Sequence, residues 1–565
     1  MKILLNYHWA EMIIIISDEK GVFFMLHSGK KAVLIMIGVI LLLSTALMGC
    51  TNQESATTVE QESSPTEKSV TVSWPRDIGP MNPHTYNPSQ LFAQSMIYEP
   101  LVSYKEGGKL EPHLAESWTI SEDGKEYTFK LRKNVKFSDG TPFNAAIVKK
   151  NFDAVMSNPK LHSWLGVINA LEKTEAVDEQ TFKLILKAPY YPTLQDLSLV
   201  RPVRFLGEAG FPDDGDTSKG VKKPIGTGPW VLSEYKQDEY AVFTRNPNYW
   251  GESPKLDKVT VKIIPDAETR VMAFEKGELD LIYGEGVITM DSFNQLKASD
   301  KYGTKLSEPV GTRSLLLNTT NEKLADQRVR MALQHGFNKQ AMVEGITLGL
   351  EEKADNILSK NFPYTNIDVV SVEYNVDKAA AYLEEAGWKL PAGKTVREKD
   401  GQPLELELIY DKTDPIQKAM AETMQAEWAA IGVKLNITGL ELTVQIKRRK
   451  AGEFDIDFWY NYGAPYDPHS FINVVAEKGW GVSEAHSRLP MKQELDKQVK
   501  DALASTDEAK RQELYGSILK TLQEQSAIVP VSYIKKTVVY QKNVKAFSFP
   551  ANRDEHPFNW IEVSE

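Results

Sequence analysis

The stretch that most restricts the fold runs from Leu404 to Ile437. Leu404-Glu-Leu-Glu-Leu408 alternates apolar and polar residues, Gln417–Ile431 carries a helical pattern that ends at Gly432, and Val433-Lys-Leu-Asn-Ile437 alternates again. A strand, a helix stopped by glycine and a second strand make a βαβ-like unit. Related signals recur nearby. Asp326–Gly345 places Val329, Ala332, Leu333, Gly336 and Phe337 on one helical face, and Asp377–Ala386 reads as a second helix stopped at Gly387. Phe454-Asp-Ile-Asp-Phe458 reads as a further strand. The expected body is mixed α/β without an internal repeat.

The first fifty residues address the chain to a compartment. Lys30-Lys31 precede the apolar run Ala32–Met48, which closes in Leu47-Met48-Gly49-Cys50: a basic region, an apolar region and a small-residue cleavage site. Leu-x-Gly-Cys there resembles the lipobox of bacterial lipoproteins, which implies that Cys50 is lipidated and becomes the mature N-terminus. A membrane-spanning anchor is the alternative, because the run is nearly long enough to cross a bilayer. Either way the bulk of the chain is expected outside the cytoplasm. Residues 1–24 sit oddly ahead of such a signal and Met25 is the better start, so residues 1–49 are set aside as a signal peptide. Residues 50–69 contain no aromatic residue and are mostly Thr, Glu, Ser and Gln, so they are expected to form a disordered tether.

Cys50 is the only cysteine, so the body has no disulfide, no thiolate zinc site and no thiol nucleophile. Its roughly 500 residues exceed what one core usually supports, and two or more domains are expected. The net charge is −11 and the one basic run, Lys447-Arg448-Arg449-Lys450, reads as a solvated helix face; no nucleic-acid partner is expected. No G-x-S-x-G elbow, H-E-x-x-H pair or phosphate loop is present, and "GTGPW" (226–230) lacks the third glycine of a dinucleotide fingerprint. The body's histidines, at 84, 113, 162, 335, 469, 486 and 556, form no i, i+3 or i, i+4 pair. In "YGAPYDPHSF" (462–471), His469 stands beside a carboxylate, which leaves a metal site and a structural role both open.

Several stretches resemble one family. "AESWTISEDGKEYTFKLRKNVKFSDGTPF" (115–143), with Asn134 where an acid is usual, "PIGTGPW" (224–230), "RNPNYWG" (245–251), "FEKGELDLIYG" (274–284) and "LLLNT" (315–319) are similar to the peptide/nickel class of solute-binding lipoproteins that serve ABC importers. "WPRDIGPMNPHTYNPSQLFAQSMIYEPLV" (74–102), "APYYPTLQDLSLVRPVRF" (188–205), "LPAGKTVREKDGQPL" (390–404) and "GAPYDPH" (463–469) resemble its nickel-binding branch. The resemblance implies an α/β, two-lobed, hinged periplasmic-binding-protein-like fold of class II, in its enlarged three-subdomain form. Lobe I would comprise 70–315 and 530–565, and lobe II 316–529.

The same resemblance implies a non-catalytic receptor with no intrinsic cofactor, anchored by lipid to the outer face of the cytoplasmic membrane. It would capture nickel(II) wrapped in an organic chelator such as L-histidine and pass it to permease and ATPase subunits. Free Ni²⁺ wants a nearly complete shell of imidazole and carboxylate donors, which this histidine-poor body hardly supplies. A chelate shows carboxylates outward, and arginine recognises those in bidentate fashion. Arg201 matches the family's chelate-binding arginine, and Trp164, Tyr86, Tyr462 and Tyr466 fall on positions that line its cleft. Leu161 replaces a second arginine and Leu91 a methionine, which favours a less anionic chelate. The family's direct metal ligand falls near Trp480, where the nearest histidine is His486. His469 is then expected to be structural, with Asp467 or His469 fixing the loop. The rivals are a di- or oligopeptide receptor of the same fold, with Asp467 or Asp554 holding the peptide amino terminus, an opine-metallophore receptor, and a hydrolase, which lacks every nucleophile motif.

Overall fold

Two long strands, Gly303–Leu317 and Ile528–Tyr540, run antiparallel through the middle of an eleven-stranded sheet. In this computed structural model the described residues are 67–86, 90–368 and 370–564, together with three N-terminal strands, Lys2–His8, Glu11–Ser17 and Phe23–Leu26, that pair antiparallel as a unit of their own. The apolar run 32–48, Cys50 and residues 51–66, on which the signal, lipid and tether expectations rest, lie outside the described residues. Ser69, expected at the end of the tether, already pairs with Lys258 at the start of strand Ser69–Trp74.

From one edge the sheet runs Trp230–Lys236, Tyr240–Arg245, Lys258–Ile263, Ser69–Trp74 and Leu281–Gly284. It then passes through the two long strands to Ile456–Tyr460, Glu405–Asp411 and Lys434–Leu440, with Glu352–Lys353 pairing off this path. The long pair holds from Gly303 opposite Tyr540 to Leu316 opposite Ile528, but its register shifts between Leu306 and Pro309, Pro309 and Gly311, and Arg313 and Ser314. Proline has no N–H for the ladder and bulges bend a strand, so the ribbon is least regular at its centre. Beyond it, side-chain alternation separates two cores. Leu315, Leu317, Val529 and Val531 face one, while Leu316 and Ile528 face the other. On the opposite side a third core gathers Val70, Val72, Val259 and Val261 with Phe129, Phe152 and Phe182. Those phenylalanines come from a four-stranded antiparallel sheet (Ala115–Ile120, Glu126–Leu131, Thr181–Leu186, Leu171–Asp178) and the helix Ala145–Met156.

The βαβ unit forms as expected, with Leu406 beside Leu435 and Leu408 beside Ile437 in parallel register. Its helix, Pro415–Ala430, starts earlier than the periodicity indicates because the Asp414 side chain caps the Ile416 and Gln417 N–H groups. Gly432 follows at φ 84°, where a Cβ would meet Arg397 Cγ at 2.7 Å. Asp326–Gly345 is two helices rather than one, Gln327–His335 and Lys339–Gly345. Asn338 caps the second, and Gly336 packs so near Ile431 and the Ala332 carbonyl that a side chain would clash. The basic run does lie on a helix, Leu442–Ala451, but it is not merely solvated: Arg449 pairs with buried Asp457 at 2.5 Å and Arg448 with Glu407 at 2.6 Å.

Candidate functional site

The loop 462–469 leaves the strand Ile456–Tyr460 and is knotted by one acid. Asp467 accepts hydrogen bonds from the Asn461 amide, at 2.7 Å, and from the Gly463 N–H, while Asn461 accepts the Thr312 N–H from the long strand. Gly463 sits at φ 80° with the Val310 carbonyl 2.4 Å from where a Cβ would stand, so the turn admits only glycine. Arg553 braces the outside, donating to the Tyr462 carbonyl at 2.7 Å, and its own N–H bonds the Ala464 carbonyl at 3.0 Å. Burial pushes the Asp467 carboxyl up to about 6, and its Oδ1 has no hydrogen-bond partner.

His469 opens the helix His469–Ala476 and is buried. Its Nε2 lies 2.9 Å from Asp196 Oδ1, while Asp196 Oδ2 accepts the Val167 N–H at 2.9 Å. Both side chains are buried, at 2% and 1% exposure, so the histidine ties the start of its helix to the helix Thr193–Ser198.

The remaining side chains of the loop meet a row of aromatic residues. Tyr466 donates to Asp554 Oδ2 at 2.8 Å, and its ring lies 6.2 Å from Trp164. Trp164 meets Tyr86 edge-on at 5.7 Å, and the Arg201 guanidinium lies 5.1 Å from the Tyr86 ring centre while donating to the Tyr86 carbonyl. Tyr462 stands beside Tyr466, at 6.5 Å, and edge-on to Trp459, at 6.0 Å. Burial lowers the Arg201 pKa, and Tyr466, Asp554 and Tyr86 oppose the shift, leaving a charged guanidinium. Burial likewise pushes the phenols of Tyr86, Tyr462 and Tyr466 upward, so all three are neutral hydroxyls. Beside the loop a cavity of about 630 Å³ is lined by Ala464, Val310, Tyr104, Phe549, Lys536 and Arg553.

The structure thus brings together Tyr86, Trp164, Arg201 and Tyr466, with Tyr462 adjoining. Leu161 is 47% exposed in the turn before Trp164, and Leu91 is half-buried at the start of the helix Leu91–Ile97. His486 has no exposed surface, its Nε2 faces the Ala527 carbonyl at 3.3 Å, and burial drives its pKa down to about 3. It follows the short helix Val482–Ala485, which packs into the core around Leu316, and none of its hydrogen bonds reaches the aromatic row. Sequence reasoning missed His162, which hydrogen-bonds the Tyr86 hydroxyl through Nδ1 at 2.5 Å. Its only clue was its place two residues before Trp164. Among the described residues no group of three His, Cys, Asp or Glu side chains is placed to hold a metal ion.

A hinged α/β shell with an arginine set among aromatic rings is the frame of a solute-binding protein. The chain belongs to the bacterial extracellular solute-binding proteins, family 5, whose model matches residues 109–482. It is 42% identical over 494 residues to the nickel-binding periplasmic protein of Escherichia coli (strain K12), covering 87% of this chain and 94% of that one. With the dipeptide-binding protein of the same organism it shares 28% over 500 residues, or 82% and 90% of the two chains. The crystal structure of NikA from Brucella suis in complex with Fe(III)-EDTA superposes with a TM-score of 0.86 at 43% identity, covering 88% of this chain and all of the other. The chain is a binding protein, not an enzyme.

Proposed function

We propose that this chain is the extracytoplasmic receptor of an ABC importer for nickel, capturing nickel(II) as a small-molecule chelate such as nickel–histidine. Cys50 carries the lipid anchor, and the loaded receptor delivers its cargo to permease and ATPase subunits. The observation that carries the reading is Arg201, a cation held against the face of Tyr86 in a row of neutral aromatic groups. Such a group suits the outward carboxylates of a chelate, through charge-assisted paired hydrogen bonds, better than it suits a bare cation. Two relatives support the cargo: the Escherichia coli protein is nickel-binding, and the Brucella suis protein holds a carboxylate chelate of iron.

Lobe I is 70–315 with 530–565 and lobe II is 316–529, so the boundary falls on the two long strands and the bend on their irregular centre. Closure shifts a population of open and closed forms toward the form in which both jaws touch the ligand. Arg201 and Trp164 form one jaw and Tyr462 and Tyr466 the other.

The test is calorimetric titration of protein starting at Thr51, freed of co-purified ligand, with Ni²⁺ alone, Ni²⁺ with excess L-histidine, and a mixture of short peptides. Binding that requires nickel and histidine together is expected. Peptide binding without metal would overturn the cargo while keeping the fold. Arg201→Ala should weaken chelate binding by about 10- to 100-fold, the worth of one charged hydrogen bond, with little change in melting temperature.

A further inference from the structure

Among the described residues, Lys536 is a buried cation that forms no ion pair. It lies in the strand Ile528–Tyr540, 5% exposed, and its N–H bonds the Ser307 hydroxyl at 2.9 Å. Its ammonium donates to the Arg553 carbonyl and, at 3.3 Å, to the Tyr283 hydroxyl, and stands 5.1 Å from the centre of the Tyr283 ring. Burial and the neighbouring Arg553 guanidinium hold its pKa down to about 8, which leaves it charged at neutral pH. Asp554, Glu285 and Glu555 oppose that shift, but their carboxylates are engaged elsewhere: Glu285 pairs with Arg553 at 2.6 Å, Asp554 accepts from Tyr466 at 2.8 Å and Glu555 lies 4.0 Å from Arg204. An ammonium has three N–H donors and two are used here. A charge withdrawn from water without a counter-charge is costly, and the chain supplies none.

Lys536 also borders open space. It lines the cavity of about 630 Å³ beside the tyrosine loop, together with Tyr104, Phe362 and Phe549. Tyr104 is 8% exposed, and its hydroxyl has no hydrogen-bond partner among the described residues; burial and the nearby Asp467 carboxyl push its pKa upward, so it is a neutral donor. Phenylalanine walls suit an apolar body. The exposed lining residues Glu106, Glu308 and Lys360 bring two negative charges and one positive, which disfavours a multiply charged anion.

We propose that this cavity is a binding site for one small organic monocarboxylate, with the carboxylate on the Lys536 ammonium and the Tyr104 hydroxyl and the apolar body against Phe362 and Phe549. Arg201, Tyr86 and Trp164 do not line it; Ala464 does, so the site lies against the loop that carries Tyr462 and Tyr466. Tyr104 and Phe549 belong to the segments assigned above to lobe I and Phe362 to lobe II, so an occupant touches both. The inference stands apart from the nickel reading.

The experiment titrates full-length protein, solubilised in detergent and free of metal, with benzoate and with benzamide, which has the same body and no charge. The readout is the ratio of the two dissociation constants by calorimetry, with detergent alone as the blank. Benzoate is expected to bind at least about tenfold more tightly than benzamide, the worth of one hydrogen bond to a charged group, and Lys536→Met should erase that preference. A merely structural lysine would weaken both probes alike and leave the ratio unchanged. Tyr104→Phe removes a hydroxyl that no other described group uses, so it should weaken benzoate about threefold or more at an unchanged melting temperature, and it tests the site even where Lys536→Met fails to fold. No preference for benzoate in wild type overturns the inference. So does a preference within twofold of wild type in Lys536→Met, or, if that variant does not fold, an unchanged benzoate affinity in Tyr104→Phe. In protein that binds nickel–histidine, saturation with that chelate separates two sources of the carboxylate: benzoate that still binds marks a separate solute, and benzoate that is displaced marks a carboxylate of the captured cargo. Failure to bind nickel–histidine overturns the nickel-chelate reading alone, since the first titrations contain no metal.

Discussion

Replacing His469 by leucine should cost about 3–5 kcal/mol of stability, the penalty for removing one partner of a buried carboxylate–imidazole pair. The pair is 2.9 Å long and its side chains are 2% and 1% exposed, so water cannot take the place of the lost imidazole. Asp196 would be left sealed with the Val167 N–H and the Tyr190 hydroxyl as its neutral donors. The size of the effect can be separated from ordinary cavity formation by a cycle. Asp196→Leu combined with His469→Leu removes both polar groups and orphans the Val167 N–H and the Tyr190 hydroxyl, so the double variant should cost about 1–3 kcal/mol. Each single variant should cost more than the double, against a simple sum of about 6–10 kcal/mol. Urea unfolding at pH 7, followed by tryptophan fluorescence and analysed at the same transition in all four proteins, gives the coupling energy. A single-variant cost below about 1 kcal/mol, or a double variant equal to the sum of the singles, would refute the view that His469 stabilises the fold through Asp196.

Other consequences are as direct. Glu351→Gln should destabilise by about 3 kcal/mol in the same urea assay, because Arg313 is buried in the irregular part of the ribbon and would keep a single charged partner, Asp414 at 3.4 Å, beside the neutral Tyr460 hydroxyl and the one remaining amide oxygen. Asp467 has a folded pKa near 6, above its unfolded value, so the folded state binds the extra proton between about pH 4 and 6 and this residue's contribution to stability falls as pH rises through that window. Asp467→Asn should therefore gain stability relative to wild type between pH 4 and 7, and a flat difference across that range would show that the carboxyl is not desolvated. His486→Phe should leave nickel-chelate affinity within about twofold by calorimetry, since its imidazole is enclosed in the core near Ala527. A large loss of affinity at unchanged stability would return His486 to the metal.

Local features of the chain decided a good part of the fold. The βαβ unit at 404–437 was legible because strand alternation, a helical stripe and a terminating glycine are all written within about thirty residues. The split of 326–345 was not, because Gly336 is demanded by Ile431, far along the chain. The site shows the same division. Family resemblance pointed to Arg201, Trp164, Tyr86 and the tyrosine loop, and those four segments do meet. The count of residues beyond "DPH" that put His486 at the metal could not say which face of a four-residue helix is buried, and the structure turns that face inward.

By itself, then, the sequence determined an α/β body, a family and an arginine among aromatic residues, because periodicity and motifs are local in the chain. Only the tertiary structure decided what each histidine does. His469 meets an aspartate 273 positions away, His486 is enclosed by core side chains, and His162 is oriented by a tyrosine 76 positions before it. An imidazole's role depends on which groups face its two nitrogens and how much water remains around it. Those neighbours are fixed by packing between distant segments, which no local pattern records.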